Sequence, residues 1–551
     1  MDPRSPRAQA RWCALCIVLA VAVHGSGMGV PILAPDGAVY AAIAKTMVQR
    51  HNYLELMVQG QDWLDKPHFP FWLTALAFRL FGVQTWAYKL PALLWLLLGA
   101  WSTYWFATQF YTRQVAQWSV LILLTAEHTI LATLDVRAEA YLTGLMMTAV
   151  ASFATARRTH TAWPLFVGAL CTAGALMTKG LVALLPIGGA LAGDLVRTKH
   201  WPALWHRRWW GTALVILVGL TPELYCLYAQ FDAHPDKLVF GQTGVSGLRF
   251  FFWDSQFGRF LNTGPIRGHG TPLFFLHTTL WAFWPWSGVL ALALVTRLTP
   301  HGRTAPAAPE WYTRAGALLT FLVLSASQFQ LPHYLTILFP FWAILTAQYL
   351  AQVTSRAQLR WLTRMQASLS GLGCLLVPLV HLVCRPAPMA WWTWLLVGGL
   401  VVLLFSGGRR FRAEGTPRLI PQTALAALVF NGYLTLGLAP YFLHYQAGSE
   451  AAFYSNRYYP GVPVVQVHHA SSVALALYLA QPLRTMAQVA ETATLRQRPY
   501  LLYAPIEELQ GVPGHLVHTF ASFPVSRPTL SFLYYKTRSQ VTQTYGLLLI
   551  P

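Results

Sequence analysis

Residues 33–55 read LAPDGAVYAAIAKTMVQRHNYLE and follow directly on the first apolar segment of the chain. A connector leaving a bilayer is ordinarily bland, yet this one places Asp36, Tyr40 and Lys45 at the membrane mouth. Val39, Ile43 and Met47 recur at i, i+4 and i+8, the spacing of one helix face. The stretch therefore predicts a helix lying along the membrane, with a carboxylate at its start. The segment before it, WCALCIVLAVAVHGSGMGVPI from Trp12, has a positive flank and no clear small-residue cleavage site, so it is expected to remain as a first spanning helix.

Composition sets the class. Of 551 residues, 55% are hydrophobic and only 11% charged, and the mean hydropathy is +0.43. These values exclude a water-soluble globular chain and point to a polytopic membrane protein. The 23 Trp and 23 Tyr suit many membrane–water boundaries. The net charge of +20 comes in short clusters between apolar runs, without the basic stripe of a nucleic-acid binder. All six cysteines lie in apolar segments and no N-x-[ST] sequon occurs, which fits a bacterial inner membrane better than a secretory one.

A spanning helix needs about 20 mostly apolar residues. On that measure about thirteen candidates are expected, centred near residues 22, 100, 124, 147, 170, 187, 220, 286, 321, 342, 374, 397 and 430. Every second connection is basic: Arg4/Arg7/Arg11, Arg113, Arg157/Arg158, Arg197/Lys199/Arg207/Arg208, Arg297/Arg303/Arg314, Arg356/Arg360/Arg364 and Arg409/Arg410/Arg412/Arg418. The alternation requires residues 164–196 to form two spans with a tight turn at MTKGL, and it places the N-terminus in the cytoplasm and the C-terminus in the periplasm. Residues 1–440 are expected to form the membrane domain, with long outer connections at 34–89 and 232–275. Residues 441–551 mix β-like runs (PVVQVHHA, YLLYA) with a helical pattern at SSVALALYLAQPLRTMAQVAE, and predict a small outer α/β domain.

Charges gather on the outer side: Asp36; Asp62, Asp65, Lys66 and His68 in DWLDKPHFPFW; Asp135, Arg137 and Glu139 in LDVRAEAYL; Lys179 in MTKGL; Asp254, Arg259, Arg267 and His269 in the second long connection; His333 and Tyr334 in FQLPHY. Charged groups at membrane depth are costly and mark function. Carboxylates among cations suit a reaction in which a phosphate departs and an acceptor is deprotonated. Each residue also has a plainer reading. Asp36 can cap a helix, Lys66 can snorkel to the interface, Asp135 can pair with Arg137, Lys179 can belong to the turn at Gly180, and His269 can sit in a flexible loop between glycines. Phosphate-binding, dinucleotide-binding and metal-binding C-x-x-C motifs are absent, as is a D-x-D clamp, so an activated group at this face must arrive on a lipid rather than a nucleotide.

In this order, over roughly residues 12–350, the motifs resemble the polytopic glycosyltransferases with the C-type fold: an acidic first loop, LDKPHFPFW, DVRAE, TKG, FWPWS and LPHY. The likeness is nearest to the bacterial protein-mannosyltransferase-like branch that includes the aminoarabinose transferase of lipid A. It implies transfer of a sugar from a polyprenyl-phosphate donor in the membrane to a lipid, glycan or protein acceptor. It further implies that Asp36 is the first-loop catalytic carboxylate, with Asp135 and Glu139 as further acidic candidates. Lys66 would bind the donor phosphate, joined by Arg137, Lys179, Arg259 and Tyr334, while Asp65 and His269 would hold a divalent metal. The chain departs from the family pattern at three places. Gly37 stands where a second acidic residue often follows Asp36, the Arg-x-Asp motif reads Arg137-Ala138-Glu139, and Asp65 replaces the usual Glu. A polytopic transporter or lipid flippase is the alternative, and it predicts inverted repeats with broken helices in matching halves.

Overall fold

The computed structural model describes residues 6–33, 35–298, 309–410, 414–495 and 499–551. Arg4, Arg303 and Arg412 of the basic connections lie outside them. Helix α1 (Pro6–Ser26) leads to α2 (Pro35–Arg50), a short β1–β2 hairpin (Met57–Val58, Gln61–Asp62) and α3 (Phe69–Phe81). There follow α4 (Thr85–Phe110), α5 (Arg113–Thr125), α6 (Glu127–Leu134), α7 (Ala138–Thr159), α8 (Trp163–Lys179), α9 (Leu184–Thr198) and α10 (Arg207–Leu227). Further long helices cover Tyr312–Ala326, Phe339–Ala351, Arg356–Cys384, Trp391–Arg410 and Thr416–Tyr433.

Among the described residues, eight helical stretches are long and apolar enough to cross a membrane, or nine if the bent pair α5–α6 counts as one. The expected number is about thirteen. The remaining candidates are real helices that fail the length or hydropathy requirement alone. Tyr312–Ala326 has 15 residues, and the candidate at 286 falls between Phe274–Ala282 and Ser287–Leu298. The stretch Trp163–Thr198 is continuous helix-like backbone 36 residues long, yet its halves run antiparallel. Lys179, at the end of α8, pairs with Glu139 in the first turn of α7. Asp194, near the end of α9, pairs with Arg157 in the last turn of α7 at 2.5 Å. Since α7 is about 30 Å long at 1.5 Å per residue, α9 must return alongside α7, so the chain reverses at MTKGL as expected. Gly180 makes the reversal with φ +73, a region open to glycine. A Cβ there would collide with the Gln256 side-chain amide.

The C-terminal region holds a five-stranded mixed sheet in the order β4-β3-β5-β7-β6, formed by β3 (Val464–Val467), β4 (Leu483–Met486), β5 (Tyr500–Pro505), β6 (His515–Ser522) and β7 (Gln543–Ile550). The helical pattern expected over 471–491 is cut short. Only Val473–Tyr478 is α-helical, and Leu483–Met486 pairs in parallel with β3. Pro482 explains the break, because it disfavours helix at the residue before it and cannot donate a helical hydrogen bond. This region grips the first long connection: Lys45 Nζ donates to the carbonyls of Ala476, Leu477 and Leu479 at 2.8, 2.9 and 2.7 Å. Tyr478 Oη accepts the Ile32 amide at 2.9 Å. Both contacts brace the ends of the segment that carries Asp36.

Candidate active site

The site is built at the helix ends that meet the two long connections. Ala126 is extended (ψ 134), and the 55° bend there between α5 and α6 delivers Asp135 to the end of α6. Asp135-Val136-Arg137 is then the link into α7, whose first turn carries Glu139, an end of the helix where a carboxylate is favoured. Asp36 is the second residue of α2, inside its first turn rather than before it. Its carboxylate accepts from Arg137 Nη1 at 2.6 Å, and Arg137 Nη2 lies 3.2 Å from Asp135. The side chain of Asp36 remains 58% exposed, so one face of the carboxylate is open to an incoming group. Gly37 belongs to the same arrangement: a Cβ on it would come within 2.9 Å of Asp135 Oδ1.

Opposite these lies a cationic wall. Lys66 donates to Asp65 Oδ2 at 2.5 Å, and Arg259 from the second long connection donates to Asp65 Oδ1. Burial would raise the Asp65 carboxyl, but Lys66 and Arg259 hold it down at about 2. Burial also lowers Lys66, with Asp65 opposing the shift. Lys179 pairs with the buried Glu139 and stands 3.8 Å over the Tyr334 ring, and His333 Nε2 lies 3.9 Å from Glu139. Arg259 stacks over Phe329 at 5.4 Å.

Two adjoining cavities share this wall. One, of about 390 Å³, is lined by Asp36, Tyr40 and His333 together with Asp65, Lys66, Arg259 and Tyr334. The other, of about 110 Å³, contains Asp65, Lys66, Arg259, Tyr334 and Lys179 and is otherwise largely apolar, with Leu227, Phe250, Phe251, Val323 and Ile337. The two cavities thus adjoin across two cations, Lys66 and Arg259, with Lys179 on the smaller one and Asp36 on the larger. That arrangement can neutralise a phosphate whose tail is greasy and whose other substituent is polar.

Asp36, Asp135 and Arg137 are therefore brought together, as are Glu139 with Lys179 and Tyr334, and Lys66 with Asp65 and Arg259. The metal expectation meets a different geometry. Both oxygens of Asp65 are engaged by cations, and His269 is exposed in its loop. Among the described residues no group of three or more His, Cys, Asp or Glu is arranged to hold an ion. In this arrangement Asp65 is paired with Lys66 and Arg259 rather than with His269. Glu223, on α10, also lines the apolar cavity and is buried against His68. The sequence signals it as a carboxylate inside an apolar span, a placement that marks function by default.

Residues 65–226 match the family of dolichyl-phosphate-mannose-protein mannosyltransferases. The crystal structure of ArnT from Cupriavidus metallidurans bound to undecaprenyl phosphate superposes with a TM-score of 0.72 at 18% identity, over 97% of this chain and 98% of that one. The chain is a multi-pass membrane protein with the C-type glycosyltransferase fold. In sequence it is similar to the undecaprenyl phosphate-alpha-4-amino-4-deoxy-L-arabinose arabinosyl transferase of Edwardsiella ictaluri (strain 93-146), 26% identical over 63% of this chain and 61% of that protein. The protein of the same description from Pseudomonas paraeruginosa (strain DSM 24068 / PA7) is 28% identical over 55% of this chain and 52% of that protein. Both matches span less than two thirds of the relative's length.

Proposed function

We propose that this chain is an inverting glycosyltransferase that moves a sugar from a polyprenyl-phosphate donor to a lipid, glycan or protein acceptor at the periplasmic face of a bacterial inner membrane. In this reading the N-terminus is cytoplasmic, and residues 441–551 form a periplasmic domain on a membrane domain of residues 1–440. The observation that carries it is the shared wall: Lys66, Arg259 and Tyr334 line both the smaller cavity, with its Phe250, Phe251 and Ile337, and the larger one that contains Asp36. The similarity to undecaprenyl-phosphate-sugar transferases supports the same reading.

The polyprenyl tail would lie along Phe250, Phe251 and Ile337, with its phosphate against Lys66, Arg259 and Lys179 and its sugar in the larger cavity beside Asp36. An acceptor oxygen attacks the anomeric carbon from the side away from the phosphate, forming the new glycosidic bond as the bond from that carbon to the phosphate oxygen breaks. The electron pair leaves on polyprenyl phosphate, whose developing charge meets preorganised cations in a partly dry site. Asp36 takes the acceptor proton, or orients an acceptor that is already ionised, while Arg137 holds its carboxylate in place. A transporter would be expected to show broken helices in matching halves, whereas among the described residues one strongly bent pair occurs.

The deciding experiment incubates the purified chain in lipid with a polyprenyl-phosphate-linked sugar and candidate acceptors from the bacterial envelope, and follows release of polyprenyl phosphate. Sugar transfer supports the proposal. Donor translocation across vesicles without cleavage would replace it with the flippase reading.

A further inference from the structure

Two polar side chains on α10 and its continuation face the first outer connection from inside an apolar span. Glu223 and Gln230 lie seven residues apart, two helical turns, and so share one face of the helix. The Glu223–His68 pair has side chains with 0% exposure on both partners. Glu223 Oε2 accepts the His68 backbone N–H at 2.9 Å, Glu223 Oε1 meets His68 Nδ1 at 3.1 Å, and His68 Nε2 meets the Leu54 carbonyl at 3.0 Å. Both ring nitrogens therefore face oxygens. Gln230 is also buried, and it treats Leu56 as a strand would: Oε1 accepts the Leu56 amide at 3.0 Å and Nε2 donates to the Leu56 carbonyl at 3.0 Å. Its Nε2 also donates to Asp62 at 2.8 Å.

These contacts bracket Asp65 and Lys66. On one side the chain is pinned at Leu56 and Asp62, and on the other at His68. Between Lys66 and His68 stands Pro67, whose ring locks one backbone dihedral. The position of the Lys66 backbone thus follows the position of α10, and Glu223 lines the same apolar cavity as Lys66.

We propose that Glu223, on α10, and Gln230, on the helical turn that continues it, form a polar ladder that sets the reach of Lys66 toward the phosphate of the donor, acting as positioning residues rather than as ligands. This rests on the donor-site reading above. It makes the α10 ladder part of phosphate recognition, although neither residue supplies a cation.

The test compares binding of polyprenyl phosphate with binding of the uncharged polyprenol of the same length, on the full chain in nanodiscs. The wild type and Lys66→Ala establish the preference for phosphate that Lys66 supplies. Glu223→Leu is expected to lose that preference by about tenfold, the scale of one hydrogen bond to a charged group, with polyprenol binding unchanged. The double variant Glu223→Leu/Lys66→Ala should be no weaker than Lys66→Ala. Glu223→Gln should retain the preference, because its amide can accept the His68 backbone N–H and donate to a neutral Nδ1. If Glu223→Leu does not fold, His68→Gln, which keeps the backbone bond to Glu223, carries the same comparison. Equal losses for phosphate and polyprenol, or additive losses with Lys66→Ala, overturn the proposal. A Lys66→Ala variant that keeps the phosphate preference would instead overturn the donor-site reading itself.

Discussion

Arg137 Nη1 donates to Asp36 Oδ2 at 2.6 Å across 101 residues of sequence. Asp36 therefore does not serve chiefly as a helix cap, since it sits within the first turn of α2 and its carboxylate is turned to a cation. Asn keeps the shape of Asp and loses its charge. Asp36→Asn is expected to fold with a thermal midpoint close to wild type, and to lose at least about two orders of magnitude in sugar transfer, the scale of acid–base assistance. Near-normal turnover would move the catalytic role to Asp135 or Glu139.

Gly37 offers a finer probe of the same cluster. A methyl group there meets Ile32 Cγ2 at 2.8 Å and Asp135 Oδ1 at 2.9 Å, both far ends of side chains that can shift. Alanine gains up to about 1 kcal/mol of helix preference over glycine, against an overpacking cost of about 1–3 kcal/mol. Gly37→Ala should thus lower stability by no more than about 3 kcal/mol while reducing the transfer rate, because Asp135 is displaced from Arg137. A variant with full activity and unchanged stability would show that the cluster tolerates the shift.

Lys179 and Glu139 are buried partners joining α8 to α7, with side chains 10% and 2% exposed. Removing one partner of such a pair costs about 3–5 kcal/mol, because the other charge is stranded. Glu139→Leu is therefore expected to lower thermal stability sharply, and Glu139→Leu/Lys179→Met should recover much of the loss while remaining inactive. A double variant as unstable as the single one would argue that the pair contributes through packing alone.

Asp65 has its carboxyl depressed from 3.8 to about 2 by Lys66 and Arg259 acting against its burial. A depressed carboxyl stabilises the fold above its ordinary value, and that contribution fades as pH falls from about 4 towards 2. The wild type should therefore exceed Asp65→Asn in thermal midpoint at pH 6, with the gap closing as pH falls below about 4. A gap that stays constant to pH 3 would mean that Asp65 contributes no charge-dependent stability.

Topology is tested apart from chemistry. The alternation of basic connections predicts that the sheet-bearing region lies outside. A reporter that is active only after export, fused after Gly448, should give signal, and one that is active only in the cytoplasm should not. The reverse pattern would invert the assignment of both termini.

Helix positions and the membrane class were legible from sequence because they follow from local quantities. An apolar run long enough to cross lipid is visible in one window, and the proposed thirteen centres fall in or beside helices of the structure. The reversal at MTKGL was legible too, through Gly180 and its basic flanks. The motifs at the outer ends also announced which residues carry charge. What sequence left open was pairing. Asp65 meets Arg259 across 194 residues, Lys179 meets Glu139 across 40 and His68 meets Glu223 across 155. Such partners are chosen by how helices pack, and no local pattern encodes that. For the same reason Asp65 was open to a metal reading in the sequence although two cations engage its oxygens in the fold, and the partner of Glu223, His68, is brought to it only by packing. Burial makes these choices consequential, because a charge removed from water must find its partner wherever the packed helices bring one.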